Sequence, residues 1–162
     1  ECFGGLRDGD MTLMKDPVPR ARRSADLLST ILEDAGVNAS SAVRVTGKDG
    51  LAPLIWLCRH GFDDVAYVHY DGGGPRDPAD VLLILQSTPP AELEHLLNER
   101  PCLREGGLLI VQTPALKTES GRDPIHLIPE RAGYVVERCV PRRSNEIHVA
   151  RRRAPADRRK AA

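Results

Sequence analysis

Residues that could bind an anion lie in a short loop between an apolar strand and a helix. The loop holds Gly47, Lys48, Asp49 and Gly50. In open α/β sheets, ligands bind beyond the carboxyl ends of the strands. The N–H groups at a helix start attract negative charge there, and Lys48 would add to this attraction. Gln86, at the end of a later apolar strand, is expected beside the loop. A simple connecting loop with a solvated lysine remains the alternative, since a short glycine loop alone is weak evidence for binding. The loop is not a Walker motif, because the terminal Gly-Lys-Ser/Thr is absent.

The carboxyl-terminal part of the chain concentrates positive charge. Residues 138–162 contain nine Lys or Arg and two acidic residues, although the whole chain has a formal net charge of zero. This charge could bind nucleic-acid phosphates or an acidic protein, or promote self-association with the acidic remainder of the chain. No aromatic residues are interleaved there, so base stacking is not indicated, and a solvated tail is the other interpretation. The candidate binding residues are Arg142, Arg143, Arg151, Arg152 and Arg153.

The cysteine and histidine residues form no recognisable sequence motif. Cys2, Cys58, Cys102 and Cys139 are widely spaced, with no CxxC pair, which predicts free thiols in a reducing cytoplasm. Cys58 and Cys102 are expected to be buried. No histidine has a partner at the spacing of metal ligands, so no metal site is predicted. Catalytic residues stay unassigned, because Ser/His/Asp and Cys/His groups meet in space rather than in sequence.

The elements that must position these residues alternate between helices and strands. Leu27, Leu28, Ile31 and Leu32 share one helical face, which predicts a helix that Ser24 caps and Gly36 ends. The apolar run 80–85 indicates a strand covered on both faces. Further helices are predicted at 51–61, 89–103 and 124–132, and further strands at 41–47, 64–70, 106–113, 134–140 and 146–152.

These elements predict a three-layer α/β sandwich. Strands and helices alternate, which favours a mostly parallel sheet. The turn at 141–145 is too short for a parallel crossover, so the last two strands must form a C-terminal antiparallel hairpin. One domain over 24–153 is expected, with an irregular lead-in at 1–23 and a basic, disordered tail at 154–162. No apolar run reaches the roughly 18 to 20 residues of a membrane span, and no secretory signal is recognised.

Three stretches resemble class I S-adenosylmethionine-dependent methyltransferases. LREGGLLIVQTP (103–114) is similar to the family's fifth-strand motif, and ERAGYVVERCV (130–140) to the join before its sixth strand. Residues 41–71 resemble its first strand, glycine loop, helix and second strand. The resemblance implies that S-adenosylmethionine binds at the loop of Gly47 and Gly50, and that an acid at the end of the second strand holds the ribose.

The sequence also departs from the family pattern. Arg44 stands where the family has an acid, and Thr46 and Lys48 occupy glycine positions. His69 is in register with the ribose-binding acid. Asp71 lies two residues later and would substitute for that acid only if the second strand ends later than residue 70. The nine residues between Tyr70 and Asp80 are too few for the family's third-strand unit.

Three functions follow as hypotheses. The leading one is a methyltransferase-like protein of unknown substrate with weakened or lost cofactor binding, in which Arg44 repels the cofactor's positive charge. The alternative is a non-enzymatic binding module that uses the basic C-terminus. The third is an interaction protein that pairs through the sheet edge left by the missing strand.

Overall fold

Four helices flank a six-stranded sheet in the part of the chain that the structure describes. The computed structural model describes residues 20–47, 50–69, 77–85, 89–99, 103–114, 124–143 and 145–154. In chain order the elements are α1 (Arg20–Asp34), β1 (Val43–Thr46), α2 (Leu51–Arg59), β2 (Val65–Tyr67), β3 (Ala79–Ile84), α3 (Pro90–Glu99), β4 (Leu103–Pro114), α4 (Pro124–Arg131), β5 (Tyr134–Pro141) and β6 (Asn145–Arg152).

The sheet confirms the predicted mixture of parallel and antiparallel strands. Its strand order is β2-β1-β3-β4-β6-β5. β1 pairs in parallel with β2 and β3, and β3 pairs in parallel with β4. β6 is antiparallel to both β4 and β5, so the last two strands form the expected hairpin. The strand order reverses between β1 and β3, and their carboxyl ends therefore form the edge where a ligand is expected.

Helices cover both faces of the sheet, which makes the three layers. In β3, Val81 and Leu83 point to one face and Leu82 and Ile84 to the other, because side chains alternate along a strand. Val81 and Leu83 belong to a core cluster that includes residues of α1 and α2. Leu82 and Ile84 belong to a second cluster with residues of α3 and α4. We call these the α1/α2 face and the α3/α4 face.

The first helix begins earlier than predicted and ends where predicted. α1 starts at Arg20, so Ser24 lies inside the helix and does not cap it. Gly36 has a φ of 72°, which is the left-handed conformation that a glycine adopts easily. The Gly36 N–H donates to the Glu33 carbonyl at 3.0 Å and the Val37 N–H to the Leu32 carbonyl at 2.9 Å. This pair of bonds is a Schellman motif, which satisfies carbonyls at the helix end.

Strand β4 begins at Leu103, three residues before the predicted start. Leu103 is fully buried and pairs with Ala79, and the register then shifts so that Val81 pairs with Leu108. Gly106 permits this irregularity because its φ is 72°. A Cβ on the next residue, Gly107, would lie 2.8 Å from the backbone oxygen of Arg104. Gly106 and Gly107 therefore form a bulge inside the strand.

Some sequence-based expectations lie outside the described residues. These are residues 1–19, the Gly-rich loop at 71–76, and the tail from residue 155. Among the helices that are described, none has both the length and the apolar composition needed to cross a bilayer.

Candidate functional site

The glycine loop at the carboxyl end of β1 packs against a tyrosine of the neighbouring strand. Gly47 has a φ of 110°, and Gly50 precedes α2. The Gly47 carbonyl accepts hydrogen bonds from the Tyr67 hydroxyl at 2.6 Å and from the Gly50 N–H at 3.2 Å. A Cβ on Gly50 would lie 2.5 Å from Cε2 of Tyr67 and 3.3 Å from Cγ1 of Val45. The Tyr67 ring therefore occupies the space that is open because Gly50 has no Cβ.

Only part of the predicted cofactor-binding set can be placed. Gly47 and Gly50 lie together at the loop, as expected from the sequence. Lys48, Asp49, Asp71 and Gln86 lie outside the described residues. His69, in register with the family's acid, is exposed, and its ring meets the Tyr67 ring edge-on at 4.7 Å between centroids. The sequence does not predict Tyr67 as a site residue, because an aromatic residue in a strand usually packs in the core.

Arg44 does not direct its charge toward the carboxyl ends of the strands. It is 4% exposed, and its guanidinium donates to the Asp64 carboxylate at 2.7 and 3.3 Å. It also donates to the Val43 and Asp64 carbonyls at 3.1 and 3.3 Å. Asp64 immediately precedes β2, so this ion pair lies at the amino ends of the strands. The prediction that Arg44 repels a cofactor at the opposite end is wrong, because Asp64 holds and neutralises the guanidinium.

The ion pair makes stability depend on acidity. The hydrogen bond from Arg44 lowers the pKa of Asp64 below its ordinary 3.8, although desolvation opposes the shift. A carboxyl with a lowered pKa in the folded state stabilises the fold above its unfolded pKa, and that contribution is lost as pH falls through the folded value. We expect Asp64→Asn to be less stable than the wild type at pH 7, and the difference to shrink below pH 3.8.

Urea unfolding of both proteins as a function of pH checks this expectation. Asp63→Asn serves as the control, because Asp63 is the adjacent exposed carboxylate. We expect it to leave the acid dependence unchanged. A stability difference between Asp64→Asn and the wild type that stays constant through the acid range would contradict the assigned role of the Arg44 ion pair.

Two buried polar atoms lie on the α3/α4 face of β1. Thr46 is fully buried. In the part of the chain that the structure describes, Oγ1 of Thr46 and Nε of Arg44 have no hydrogen-bond partner. A buried hydroxyl without a partner is costly, since its bond to water is not replaced. In the sequence, Thr46 stands at a glycine position of the family motif. In the structure, its side chain is buried inside the sheet.

A cluster of chemically active side chains lies on strands β4, β5 and β6, at the same end of the sheet as the glycine loop. His148 of β6 is 2% exposed, and its Nδ1 lies 3.4 Å from Sγ of Cys139 on β5. Its Nε2 lies 2.9 Å from Oγ1 of Thr113 on β4 and 3.8 Å from the Glu146 carboxylate. Burial, and secondarily the Glu146 charge, raise the pKa of the Cys139 thiol. The thiol is therefore held mainly in its protonated form, which is a weak nucleophile.

Part of this cluster could have been predicted from the position of the hairpin turn in the sequence. Pairing outward from the turn brings Cys139 opposite His148, and Glu146 lies two residues from His148 on the same face. Thr113 joins only through the pairing of β4 with β6, which needs the full sheet order. By contrast, Cys58 is exposed on α2, so its predicted burial is wrong. It occupies the outer face of a helix that buries Leu57 instead.

A cavity of about 280 Å³ opens on the α1/α2 face. Its wall includes apolar side chains of both helices and of the sheet, among them Leu28, Trp56 and Ile110. Gln112 and Arg142 supply polar groups. Trp56 packs against the core, as expected, and its ring stacks on His60 at 3.9 Å. A mostly apolar wall with a few polar groups is typical of small-molecule sites.

The predicted basic residues occupy the two ends of β6. Arg142 and Arg143 lie in the hairpin turn, whereas Arg151, Arg152 and Arg153 lie at the far end of the strand. At about 3.3 Å per residue, the strand separates the two groups by roughly 25 Å. These five arginines therefore form two groups at opposite ends of β6.

Two of these arginines also make contacts within the chain. The Arg151 guanidinium forms an ion pair with Glu137 at 2.8 Å, which neutralises part of its charge. Arg152 donates a hydrogen bond to the carbonyl of Leu103, at the start of β4. Binding of nucleic acid or of an acidic protein by this end of the chain stays a prediction.

Comparison with known proteins finds similarity in structure and not in sequence. The sequence matches no protein-family model and no curated protein. Magnesium protoporphyrin IX methyltransferase from Synechocystis PCC 6803, solved with bound SAH, has a TM-score of 0.54 and 15% identity, over 90% of each chain. The same enzyme with bound SAM has a TM-score of 0.55 and 13% identity, over 90% of this chain and 86% of that chain.

A protein with different chemistry shares the architecture as well. The 4+2 cyclase SpnF has a TM-score of 0.55 and 12% identity, over 82% of each chain. One fold thus supports a methyltransferase and a cyclase, and function has to be argued from the site. The strand order and these neighbours agree with the resemblance found in the sequence. The chain therefore has the fold of the class I S-adenosylmethionine-dependent methyltransferases.

Proposed function

We propose that this chain is a methyltransferase-like protein in which binding of S-adenosylmethionine is weak or lost. Its fold is that of enzymes solved with SAM and SAH. The observation that carries the proposal is the packing of the Tyr67 ring against Gly50. In the family that the sequence resembles, the loop glycines let the backbone approach the cofactor. Here the space freed by the missing Cβ of Gly50 belongs to a side chain of the protein itself.

The hydrogen bonding of the loop supports the same conclusion. The Tyr67 hydroxyl donates to the Gly47 carbonyl at 2.6 Å, which joins the loop to β2. Moving the loop to admit a nucleoside would break this bond and separate the ring from Gly50. A typical hydrogen bond contributes about 1 kcal/mol to stability, and the ring adds packing. Opening the loop therefore subtracts from the free energy available for binding.

The end of β2 gives a second reason for weak binding. A carboxylate can accept hydrogen bonds from both ribose hydroxyls, whereas a neutral imidazole offers one acceptor nitrogen. His69 stands at the family's acid position, and its ring contacts Tyr67. Hydrogen bonds to charged groups contribute about 1.5 to 3 kcal/mol, so replacing a carboxylate by a histidine removes a large part of the ribose affinity.

Calorimetric titration of the full chain with S-adenosylmethionine tests the proposal. We expect a Kd weaker than about 1 mM, which corresponds to a binding free energy smaller in magnitude than about 4 kcal/mol. A Kd in the low micromolar range would refute the loss of the cofactor site. Circular dichroism on the same samples shows whether the titrated protein is folded.

A variant with a restored cofactor site tests whether Tyr67 and His69 cause the weak binding of S-adenosylmethionine. Tyr67→Val with His69→Asp removes the ring from Gly50 and returns an acid to the end of β2. We expect this double variant to bind S-adenosylmethionine at least about tenfold more tightly than the wild type, a gain of about 1.4 kcal/mol. His95→Asp is the matched control, because it adds the same charge at an exposed position of α3. Equal affinities for the double variant and the control would contradict the proposal.

A further inference from the structure

We propose that Cys139, Glu146 and His148 form a binding site for a zinc ion at the edge of the antiparallel hairpin. This site is separate from the glycine loop and goes beyond the proposed function. It also departs from the sequence-based prediction of no metal site. The three residues come from two paired strands, so their spacing along the chain does not follow the short intervals of common zinc motifs.

The distances between the donor atoms fit a single small cation. One donor atom from each of the three side chains lies within 4.8 Å of the other two. Sγ of Cys139 is 3.4 Å from Nδ1 of His148. Zinc bonds of about 2.0 to 2.3 Å in a tetrahedral arrangement place ligand atoms about 3.5 Å apart. The Glu146 carboxylate lies 3.8 Å from Nε2 of His148, so its side chain must rotate toward Nδ1 and Cys139 to complete the set. Glu146 is partly exposed and Cys139 is exposed, which leaves both side chains room to rotate.

The backbone holds two of the three ligands in position. Cys139 and His148 are directly opposite each other in the β5–β6 ladder. Glu146 lies two residues before His148, so both side chains point to the same face of β6. This arrangement depends on strand pairing, and it is present before any metal arrives. Because the strands fix the backbone positions of the ligands, the conformational freedom lost on binding is mainly that of the Cys139 and Glu146 side chains.

Thr113 orients the histidine for this role. Its Oγ1 lies 2.9 Å from Nε2 of His148, which leaves Nδ1 on the side of Cys139. Metal-binding histidines usually make such a hydrogen bond through the ring nitrogen that does not bind the metal. The ring is 2% exposed, while Cys139 is exposed and Glu146 is partly exposed. An ion can therefore reach the site from solvent.

The donor set selects zinc over the abundant hard cations. It combines the sulfur of Cys139, which releases its proton to solvent when the ion binds, with an imidazole and a carboxylate, all of which are zinc ligands. Calcium and magnesium prefer sets made only of oxygen atoms. Three protein ligands leave a fourth tetrahedral position for water or another small ligand, as in zinc sites that carry out chemistry.

Metal titration of the reduced, full-length protein tests this proposal. Zinc affinity is measured in competition with a chromophoric chelator, and cobalt(II) serves as the spectroscopic probe. We expect one tight equivalent, with the near-ultraviolet charge-transfer band of a cobalt–thiolate bond and the strong visible bands of tetrahedral cobalt. Cys139→Ser should lower zinc affinity by at least about 100-fold and remove the charge-transfer band. Thr113→Val, which alters only the orienting bond, should lower affinity by about 10-fold.

The exposed Cys58 provides the matched control. Cys58→Ser removes a solvent-accessible thiol of α2, and we expect it to leave zinc affinity and the cobalt spectrum unchanged. Equal loss of affinity in both cysteine variants would identify adventitious thiol binding and overturn the site, as would a six-coordinate cobalt spectrum. Circular dichroism of each variant confirms folding. The result is independent of the S-adenosylmethionine titration, because the two sites share no residue.

Discussion

Leu83→Ala and Leu82→Ala are each expected to lower the free energy of unfolding by about 3 kcal/mol. The two residues are 0% and 1% exposed, and they point to opposite faces of the central strand β3. Truncating a buried leucine removes favourable transfer from water and leaves a cavity, which together cost about 2 to 5 kcal/mol. Leu82 and Leu83 can cause equally large losses of stability only if helices cover both faces of the sheet.

Chemical denaturation of the two variants and a control measures this expectation. Val135→Ala is the control, because Val135 lies in a strand and is 41% exposed. Substitutions at such surface positions usually change stability by less than about 0.5 kcal/mol. If either leucine variant resembled the control, one face of β3 would be open to solvent and the three-layer arrangement would be wrong.

Gly50→Ala is expected to cost about 2 kcal/mol of stability, although the substitution adds one methyl group. The new Cβ would lie 2.5 Å from a ring carbon of Tyr67, closer than real contacts allow. Gly50 has a φ of −60°, so the backbone itself accepts an alanine. The destabilisation comes from overpacking, which costs about 1 to 3 kcal/mol in well-packed regions.

A double-mutant cycle with Tyr67→Val assigns this cost to the tyrosine. Once the ring is removed, adding the methyl group should cost less than about 0.5 kcal/mol, which gives a coupling energy of about 1.5 kcal/mol. Gly61→Ala is the control, because its φ of 81° makes alanine unfavourable without any neighbour within 4 Å. Its cost of about 1 kcal/mol should be the same with and without Tyr67. A coupling energy near zero would show that the Tyr67 ring moves aside when the methyl group is added. The ring would then be a weaker obstacle to binding of S-adenosylmethionine.

The sheet could be predicted from the sequence because its signals are local. The run 80–85 has no polar residue after Asp80, which indicates burial on both faces, and the turn at 141–145 imposes antiparallel pairing. The start of α1 was misplaced, because Ser24 is a good capping residue and nothing local shows that the helix continues back to Arg20. The bulge at Gly106 was missed for a similar reason, since Leu103 pairs with the distant Ala79.

The candidate sites depend on contacts that cross between strands, and the sequence predicted them less well. Tyr67 meets Gly50 because β2 lies beside β1, and the sequence offers no direct sign of that approach. Arg44 was placed at the wrong end of its strand, since a residue's position does not show the direction of a long side chain. The salt bridge to Asp64 decides that direction.

The position of β6 has a consequence for biosynthesis. β6 follows β5 along the chain but lies between β4 and β5 in the sheet. A ribosome releases the chain from its amino terminus, so β5 emerges before the strand that will hold it. Until residue 152 is free, β4 exposes an open edge that can pair with another chain. During synthesis, the edge of β4 therefore stays open longer than the order of the strands along the chain suggests.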